Sequence, residues 1–389
     1  MKKNFDFVVF GAEGMQGKIV AKDLLESDYS VLMCGWFDTD KRRIQHLLDD
    51  YPKSRFDHSD ARNVKRVQRI IKRSGADVVV NCVEGDWNLH VMRAAINAKA
   101  HYIDLGSEIP MTKTQLNMHD RLKRMGLISI TGAGSVPGIG NVMLRYAAHK
   151  FDRIKSIEAG FAWDSNIKKF VPPFSIESIT EEFIDPAPYI EGGKWKEKRP
   201  LDTVERGFYR TIGMQKRFIV RHPETYTFYH YYRHKGVKNI KFWASFPKHS
   251  FQTICTIIEL GMCGKDDMLF RHSKIRPVEF STELLKDIEP PEGYKEKENL
   301  WVWIEGKHNG RHREILMECL ANTTKGWEDS GCNVDTGRPA AILAQMIKEG
   351  VIKKPGSYAP EGIVPPNKFF EELRERKMVV LEDGEIINK

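Results

Sequence analysis

"VVFGAEGMQGKIV", Val8 to Val20, sets Gly11, Gly14 and Gly17 between a β-rich apolar run, "FDFVVF", and an amphipathic one, "KIVAKDLL". Strand, glycine turn and helix in that order make a phosphate-binding unit. The first glycine permits a tight turn, the second lets the backbone approach a pyrophosphate, and the third lets helix and strand pack closely. The helix N-terminus, opened by Met15 and Gln16, faces the anion in such a unit. The spacing is G-x-x-G-x-x-G, with Glu13 where the commoner fingerprint carries a glycine.

The next unit supports this reading. "YSVLMCGWFD" reads as a second strand ending at Asp38, about twenty residues past the glycines, where an acid binds a ribose hydroxyl. That acid favours NAD as the cofactor, while Lys41, Arg42 and Arg43 of "DKRR" keep NADP possible by offering a 2′-phosphate site. The alternation continues through "ADVVVNCV", "NLHVMRAAINAKA", "HYIDLG", "LNMHDRLKRMG" and "LISITGAG", which predicts an α/β Rossmann fold with a doubly wound parallel sheet. Ligands in such sheets lie beyond the carboxyl ends of the strands, the expected position of Glu84, Asp104 and the "GAGSVPGIGN" loop ending at Asn141.

After about Phe151 the texture changes to β-rich segments with long polar connections, among them "DRIKSIEAGFAW", "KNIKFWASFP" and "FQTICTIIELGM". A second, α+β substrate and dimerisation domain is expected. In "WVWIEGKHNGRHREILMECL" the Asn309-Gly310 dipeptide marks a tight hairpin turn, read as antiparallel edge structure. From Asp335 the pattern is helical again: Thr336 caps "GRPAAILAQMIKEG", Gly350 ends it, and "NKFFEELRERK" forms a last amphipathic helix. The expected division is residues 1–132 for the dinucleotide domain, 133–334 for the substrate domain and 335–389 for a C-terminal segment.

Composition bounds the function. A chain of 389 residues, 41% hydrophobic, suggests about two domains. The net charge of +8 is spread, and its densest stretch, "RNVKRVQRIIKRSG", alternates basic and apolar residues like the solvated face of a helix, so no nucleic-acid partner is expected. No run approaches the roughly 18 apolar residues of a membrane span, and a cytoplasmic address follows by default. The six cysteines show no ligand spacing, and reduced thiols without structural zinc are expected. His230 and His234 lie four apart, but "YTFYHYYRH" reads as too aromatic and β-prone for a helical metal pair, so no metal is expected.

The segments "GAEGMQGKIVAKDLL", "HYIDLGSE", "GAGSVPGIGNVMLRYAAHKFD", "PFSIESITEEFIDPAPYIEGGK" and "TGRPAAILAQMIKEGVIKKPGSYAPEGIVPPNKFFEELRERK" together resemble the saccharopine dehydrogenase-like family, most closely its lysine 6-dehydrogenase branch. The resemblance implies that the C-terminal segment returns to the Rossmann domain and that the chain forms a homodimer or larger assembly. It implies oxidation of the ε-amine of L-lysine to 2-aminoadipate 6-semialdehyde. Saccharopine reductases and carboxynorspermidine dehydrogenases look alike in these segments and remain alternatives, as does a non-catalytic NAD(H)-binding regulator. Carried over residue by residue, the resemblance puts Gly11, Gly14 and Gly17 at the pyrophosphate, Asp38 at the adenosine ribose, Asn81 and Cys82 near the cofactor, and Asp104 facing the substrate. "VEGDW" after Cys82 and "FIVRHPETYTFYHYYRHKG" depart from a lysine enzyme, and leave the amino-acid or polyamine-like substrate open.

Amine oxidation also sets chemical demands of its own. Hydride leaves a carbon only when its amine is neutral, so a base is required, for which Glu84, Asp104 and His222 are candidates. The carboxylate and ammonium of an amino-acid substrate call for an arginine and an acid, for which Arg221 and Glu224 are suited.

Overall fold

The computed structural model describes residues 4–36, 38–173, 175–285 and 288–389, and leaves the side chains of residues 38–40 undescribed. The first half alternates strand and helix: β1 (Phe7–Phe10), α1 (Met15–Glu26), β2 (Val31–Gly35), α2 (Gln45–Asp50), β3 (Ser54–His58), α3 (Val64–Ser74) and β4 (Val78–Asn81). There follow α4 (Asn88–Ala98), β5 (His101–Asp104), α5 (Ile109–Leu116), α6 (His119–Met125), β6 (Ile128–Ile130) and α7 (Ile139–Ala148). β1 and β4 are buried along their whole length, as central strands covered on both faces must be. α3 turns Val67, Ile70 and Ile71 inward and leaves its basic residues to solvent, as its sequence pattern predicts.

The second half contains β7 (Arg153–Ser165), α8 (Ile176–Ile184), β8 (Ala187–Glu191), β9 (Lys194–Lys198), β10 (Glu205–Tyr209), β11 (Gly213–Ile219), α9 (Glu224–Tyr232) and β12 (Asn239–Phe246). α10 (Lys248–Glu259), β13 (Met268–Phe270), β14 (Ser273–Ile275), α11 (Pro277–Leu285), β15 (Glu296–His308) and β16 (Arg311–Asn322) complete it. The C-terminal part comprises α12 (Val334–Lys348), β17 (Gly356–Tyr358), α13 (Pro360–Ile363), α14 (Pro366–Glu375), β18 (Val379–Glu382) and β19 (Glu385–Ile386).

Two sheets organise these elements. The parallel sheet runs β17-β6-β5-β4-β1-β2-β3, and the mixed sheet runs β10-β11-β12-β7-β15-β16-β18-β19 with β8 and β9 beside β12. The chain after residue 335 is shared between them: α12 packs on α1 and β17 pairs with β6, whereas β18 pairs with β16. Among the described residues no helix is long and apolar enough to cross a membrane.

Three local readings are corrected. The β15–β16 hairpin turns at Asn309 and Gly310, both at positive φ, but it lies inside the sheet, with β7 on one side and β18 on the other. "FQTICTIIELGM" is mostly helix α10, because burying Phe251 and Ile254 on one face outweighs the β preference of its branched residues. "YTFYHYY" lies in helix α9, which buries Glu224, Thr225, Phe228 and Tyr232 at helical spacing. His230 therefore stands on a helix, yet among the described residues no set of three or more His, Cys, Asp or Glu side chains is placed to hold a metal ion.

Candidate active site

The glycine turn has the shape of an anion cradle. Gly11 sits at φ +71°, where a Cβ would lie 2.9 Å from the carbonyl of Cys82. A Cβ on Gly17 would collide with the carbonyl of Gly11, so this glycine sets the close approach of helix to turn. Gly14 differs: it is extended (φ −73°, ψ 169°), and its nearest neighbour to an added Cβ is Gly11 O at 3.3 Å, so its outward side is open. The first turn of α1 carries no acid, which keeps its N-terminus attractive to a phosphate. These features fit a dinucleotide pyrophosphate over Gly14, with Met15 half-exposed beside it. Gln16 instead reaches away, its Nε2 donating to Asn333 Oδ1 at 2.7 Å.

At the end of β2, Arg62 lies over the Trp36 ring at 3.9 Å from its centroid, and Lys41, Arg42 and Arg43 are exposed in a 3₁₀ turn. β2 itself stops at Gly35, and the Asp38 side chain, the expected ribose acid, lies outside the described residues.

The strand ends distribute the expected residues unevenly. Cys82 borders the glycine turn through its backbone, its N–H donating to Phe10 O at 2.9 Å, and burial pushes its thiol pKa up. Asn81 turns away into the core, where its amide donates to Asn88 Oδ1 at 2.8 Å and to Tyr102 Oη at 3.2 Å. Asp104 is fully buried rather than facing a substrate. The N–H groups of Gly106 and Gly132 donate to its Oδ1 at 2.9 and 3.0 Å, Gln115 Nε2 donates to Oδ2 at 2.5 Å, and Thr131 Oγ1 is 3.1 Å from Oδ1. Burial raises its pKa against these donors. Asp104 thus ties the loops after β5 and β6 together, because four donors converge where no solvent reaches.

Glu84 is exposed at the cleft mouth. Partial desolvation, then the like charges of Glu177 on α8 and Asp86, hold its carboxyl above the usual range. A carboxylate of the second domain, Glu177, thus lies near enough to Glu84, just beyond β4, to act on its charge.

From the second domain, Arg221 reaches across and donates through Nη2 to Glu108 Oε1 at the start of α5, with Asp185 Oδ2 3.9 Å from its Nη1. His222 stacks on Phe242 with ring centroids 3.9 Å apart and 7° between planes, and its Nδ1 meets Glu224 Oε2. Glu224 is fully buried, so it orients His222 instead of meeting a substrate ammonium. Asn141 is buried too: its Oδ1 accepts from Gly138 N and its Nδ2 donates to Glu361 Oε2, both at 2.8 Å. It borders a small crevice between the domains with Gly106, Gly132, Pro137, Pro223 and Thr227. Burial moves the pKa of Glu361 up to about 7.

Sequence reasoning missed a group of acids on three elements: Glu182 of α8, Glu296 and Glu298 of β15, and Asp335 in the first turn of α12. Burial raises all four pKa values. In the sequence, "KEKE" at 295–298 reads as a solvated charge run, and only strand pairing shows that Glu296 and Glu298 share the face of Leu300, Val302 and Ile304.

Comparisons with known proteins agree with this architecture. Residues 7–130 match the saccharopine dehydrogenase NADP binding domain, and residues 134–379 match the saccharopine dehydrogenase C-terminal domain. The chain is 25% identical over 346 residues to carboxyaminopropylagmatine dehydrogenase of Synechocystis sp., covering 83% of this chain and 84% of the relative. It is 24% identical over 387 residues to carboxynorspermidine synthase of Vibrio alginolyticus, covering 94% and 91%. Apo saccharopine dehydrogenase (L-Glu forming) from Saccharomyces cerevisiae superposes with a TM-score of 0.76 at 13% identity, over 98% of this chain and all of that one. Two matched domains spanning nearly the whole chain, joined at a cleft with a dinucleotide cradle on one wall, place this protein in the saccharopine dehydrogenase family, as an NAD(P)-dependent amino-acid or polyamine oxidoreductase.

Proposed function

We propose that this enzyme uses NADP to make or break the C–N bond joining a carboxylate-bearing amino-acid unit to an amine with further cationic groups. The observation that carries the reading is the pair of like charges where the domains meet, Glu84 from the dinucleotide domain and Glu177 from the second domain, which favours a cationic amine beside them. The names of the relatives, a carboxynorspermidine synthase and a carboxyaminopropylagmatine dehydrogenase, support a polyamine-like substrate over lysine alone. Exposed Lys41, Arg42 and Arg43 beyond β2, with Arg62 nearby, support a 2′-phosphate and so NADP over NAD.

When bound, the dinucleotide supplies or accepts hydride at the carbon of the C–N bond. In the oxidising direction Glu84, its carboxyl held above the usual range by partial burial and the charge of Glu177, takes the proton that leaves the amine neutral; in the reducing direction it returns that proton. Arg221 exchanges Glu108 for the substrate carboxylate, a charge-assisted pair of the same kind. Glu224 holds His222 in one orientation beside this exchange, and Asp104 and Asn141 hold the loops that form the floor.

The test mixes purified protein and NADPH with 1,3-diaminopropane or agmatine plus a carboxylate-bearing aldehyde, and follows loss of reduced-cofactor absorbance. Turnover there, with little reduction of NAD or NADP by lysine, supports the polyamine reading. Turnover with lysine alone restores the lysine 6-dehydrogenase reading, and tight cofactor binding without turnover supports a regulatory protein. A homodimer in the cytoplasm completes the proposal, supported by unpaired cysteines and by exposed Leu260, Leu269, Phe270, Phe280 and Leu284 on the second domain.

A further inference from the structure

Glu298 and Asp335 meet carboxyl to carboxyl, a contact that is a hydrogen bond only if a proton lies between them. Asp335 is 2% exposed, and among the described residues neither its Oδ2 nor Glu182 Oε2, both buried, has a hydrogen-bond partner. Glu296, next to them, is satisfied by the protein: Tyr294 Oη donates to it at 3.1 Å and Cys332 N at 2.8 Å. Three acids on three elements thus come together, and among the described residues two of their buried oxygens, Asp335 Oδ2 and Glu182 Oε2, have no donor. The charges that act most on Glu298 are Asp335, Glu296 and Glu182, all of one sign. Apolar side chains here would continue the core face of β15 begun by Leu300 and would be no less stable, since buried charges lose more solvation than they regain. The unmet demand is for a cation with several N–H donors.

The position of the cluster says where that cation belongs. Asn333, two residues before Asp335, accepts from Gln16 in the first turn of α1, and Thr336 Oγ1 lies 3.0 Å from Ser135 Oγ in the loop before α7. The residues flanking Asp335 therefore touch the first turn of α1 on one side and the loop before α7 on the other. α8 carries both Glu177, which acts on Glu84, and Glu182, five residues on and rotated about 140° around the helix toward the buried acids.

We propose that Glu182, Glu298 and Asp335 form a subsite for the second ammonium group of the substrate, at the end of a diamine or polyamine chain remote from the reacting C–N bond. The inference rests on the amine-substrate reading and names which end of the amine is recognised, and by what. The ammonium replaces the proton between Glu298 and Asp335 and donates to the oxygens that lack a partner. A monoamine of the same length reaches the mouth acids and leaves this subsite unfilled.

The experiment is calorimetric titration of the full-length protein, saturated with NADPH, with 1,4-diaminobutane and with 1-aminobutane. The expected result is at least tenfold tighter binding of the diamine, with the preference lost in Glu298→Gln and Asp335→Asn while NADPH affinity stays unchanged. Should either variant fail to fold by circular dichroism, Glu182→Gln, on the half-exposed α8 side, provides the same comparison. Equal affinity of the two amines for the native protein overturns the subsite, as does a preference that survives in the folded variants. NADPH oxidation is measured separately. Diamine preference without turnover retains the subsite and rejects the oxidoreductase reading, while turnover without preference rejects only the subsite.

Discussion

At the scale of single residues, two glycines of one motif have different jobs. Gly14→Val keeps the fold, because its Cβ meets only Gly11 O, at 3.3 Å, which a shift of a few tenths of an ångström relieves, and abolishes dinucleotide binding, because the branched side chain fills the phosphate position. Gly17→Ala drives a methyl into the carbonyl of Gly11 and lowers stability as well. Thermal unfolding and cofactor titration of the two variants separate these outcomes. Asp104 makes the opposite point, a strand-end acid that is structural. Asp104→Asn turns an amide N–H toward one of its donors, and we expect a loss of about 1–3 kcal/mol in denaturant unfolding together with reduced turnover through displaced loops. Unchanged stability with lost turnover would instead assign Asp104 a direct role.

At the scale of elements, the docking of α12 against α1 depends on one buried ion network. Asp23 of α1 is 2% exposed and accepts from Arg338 of α12 at 2.7 Å and from Arg376, just beyond α14, at 2.8 Å, with Gln345 Nε2 at 3.3 Å. Removing the acid leaves the buried Arg338 guanidinium without a carboxylate and Arg376 with Glu372 in place of two. Asp23→Ala should cost on the order of 3–5 kcal/mol in urea unfolding and should release the C-terminal helices to proteolysis. The helical period of 334–348 was legible in the sequence, although the helix begins at Val334, ahead of the expected Thr336 cap. The helices α9 and α10 were not legible, since their aromatic and β-branched residues favour strands locally and only burial of one face decides for helix.

At the scale of the molecule, burying acids between the domains makes stability depend on pH. Glu182 keeps its proton to about 8 and Glu361 to about 7, and Glu298 and Asp335 shift the same way, both chiefly through burial, with the charge of Asp335 adding to the rise of Glu298 and that of Glu296 to the rise of Asp335. The unfolded chain releases these protons near pH 4, so between there and about pH 8 the folded state holds more protons. Stability of the ligand-free protein therefore falls as pH rises through that window. Melting temperatures from pH 4 to 8 check this, and Glu182→Gln should flatten the curve. The dimer proposal also belongs to this scale: light scattering on the eluting protein should give twice the 44.9 kDa chain mass, and a Leu269→Glu/Phe270→Glu double variant should shift it toward monomer.

The sequence by itself determined the dinucleotide unit, the parallel sheet and the long hairpin, because glycine spacing, apolar runs and an Asn-Gly turn act within a few residues of chain. It also carried the family resemblance. Tertiary structure alone decided the walls of the cleft. Asp104, Asn81 and Glu224 looked available as site residues and are turned into hydrogen-bonded interiors, where donors from distant segments converge on them. Nothing in the local sequence singles out Glu182, Glu298 and Asp335, which come together across more than 150 positions of sequence. Local pattern reports which face of an element is apolar; which polar groups end up sharing a buried space depends on how sheets and helices pack, and that contact is long-range.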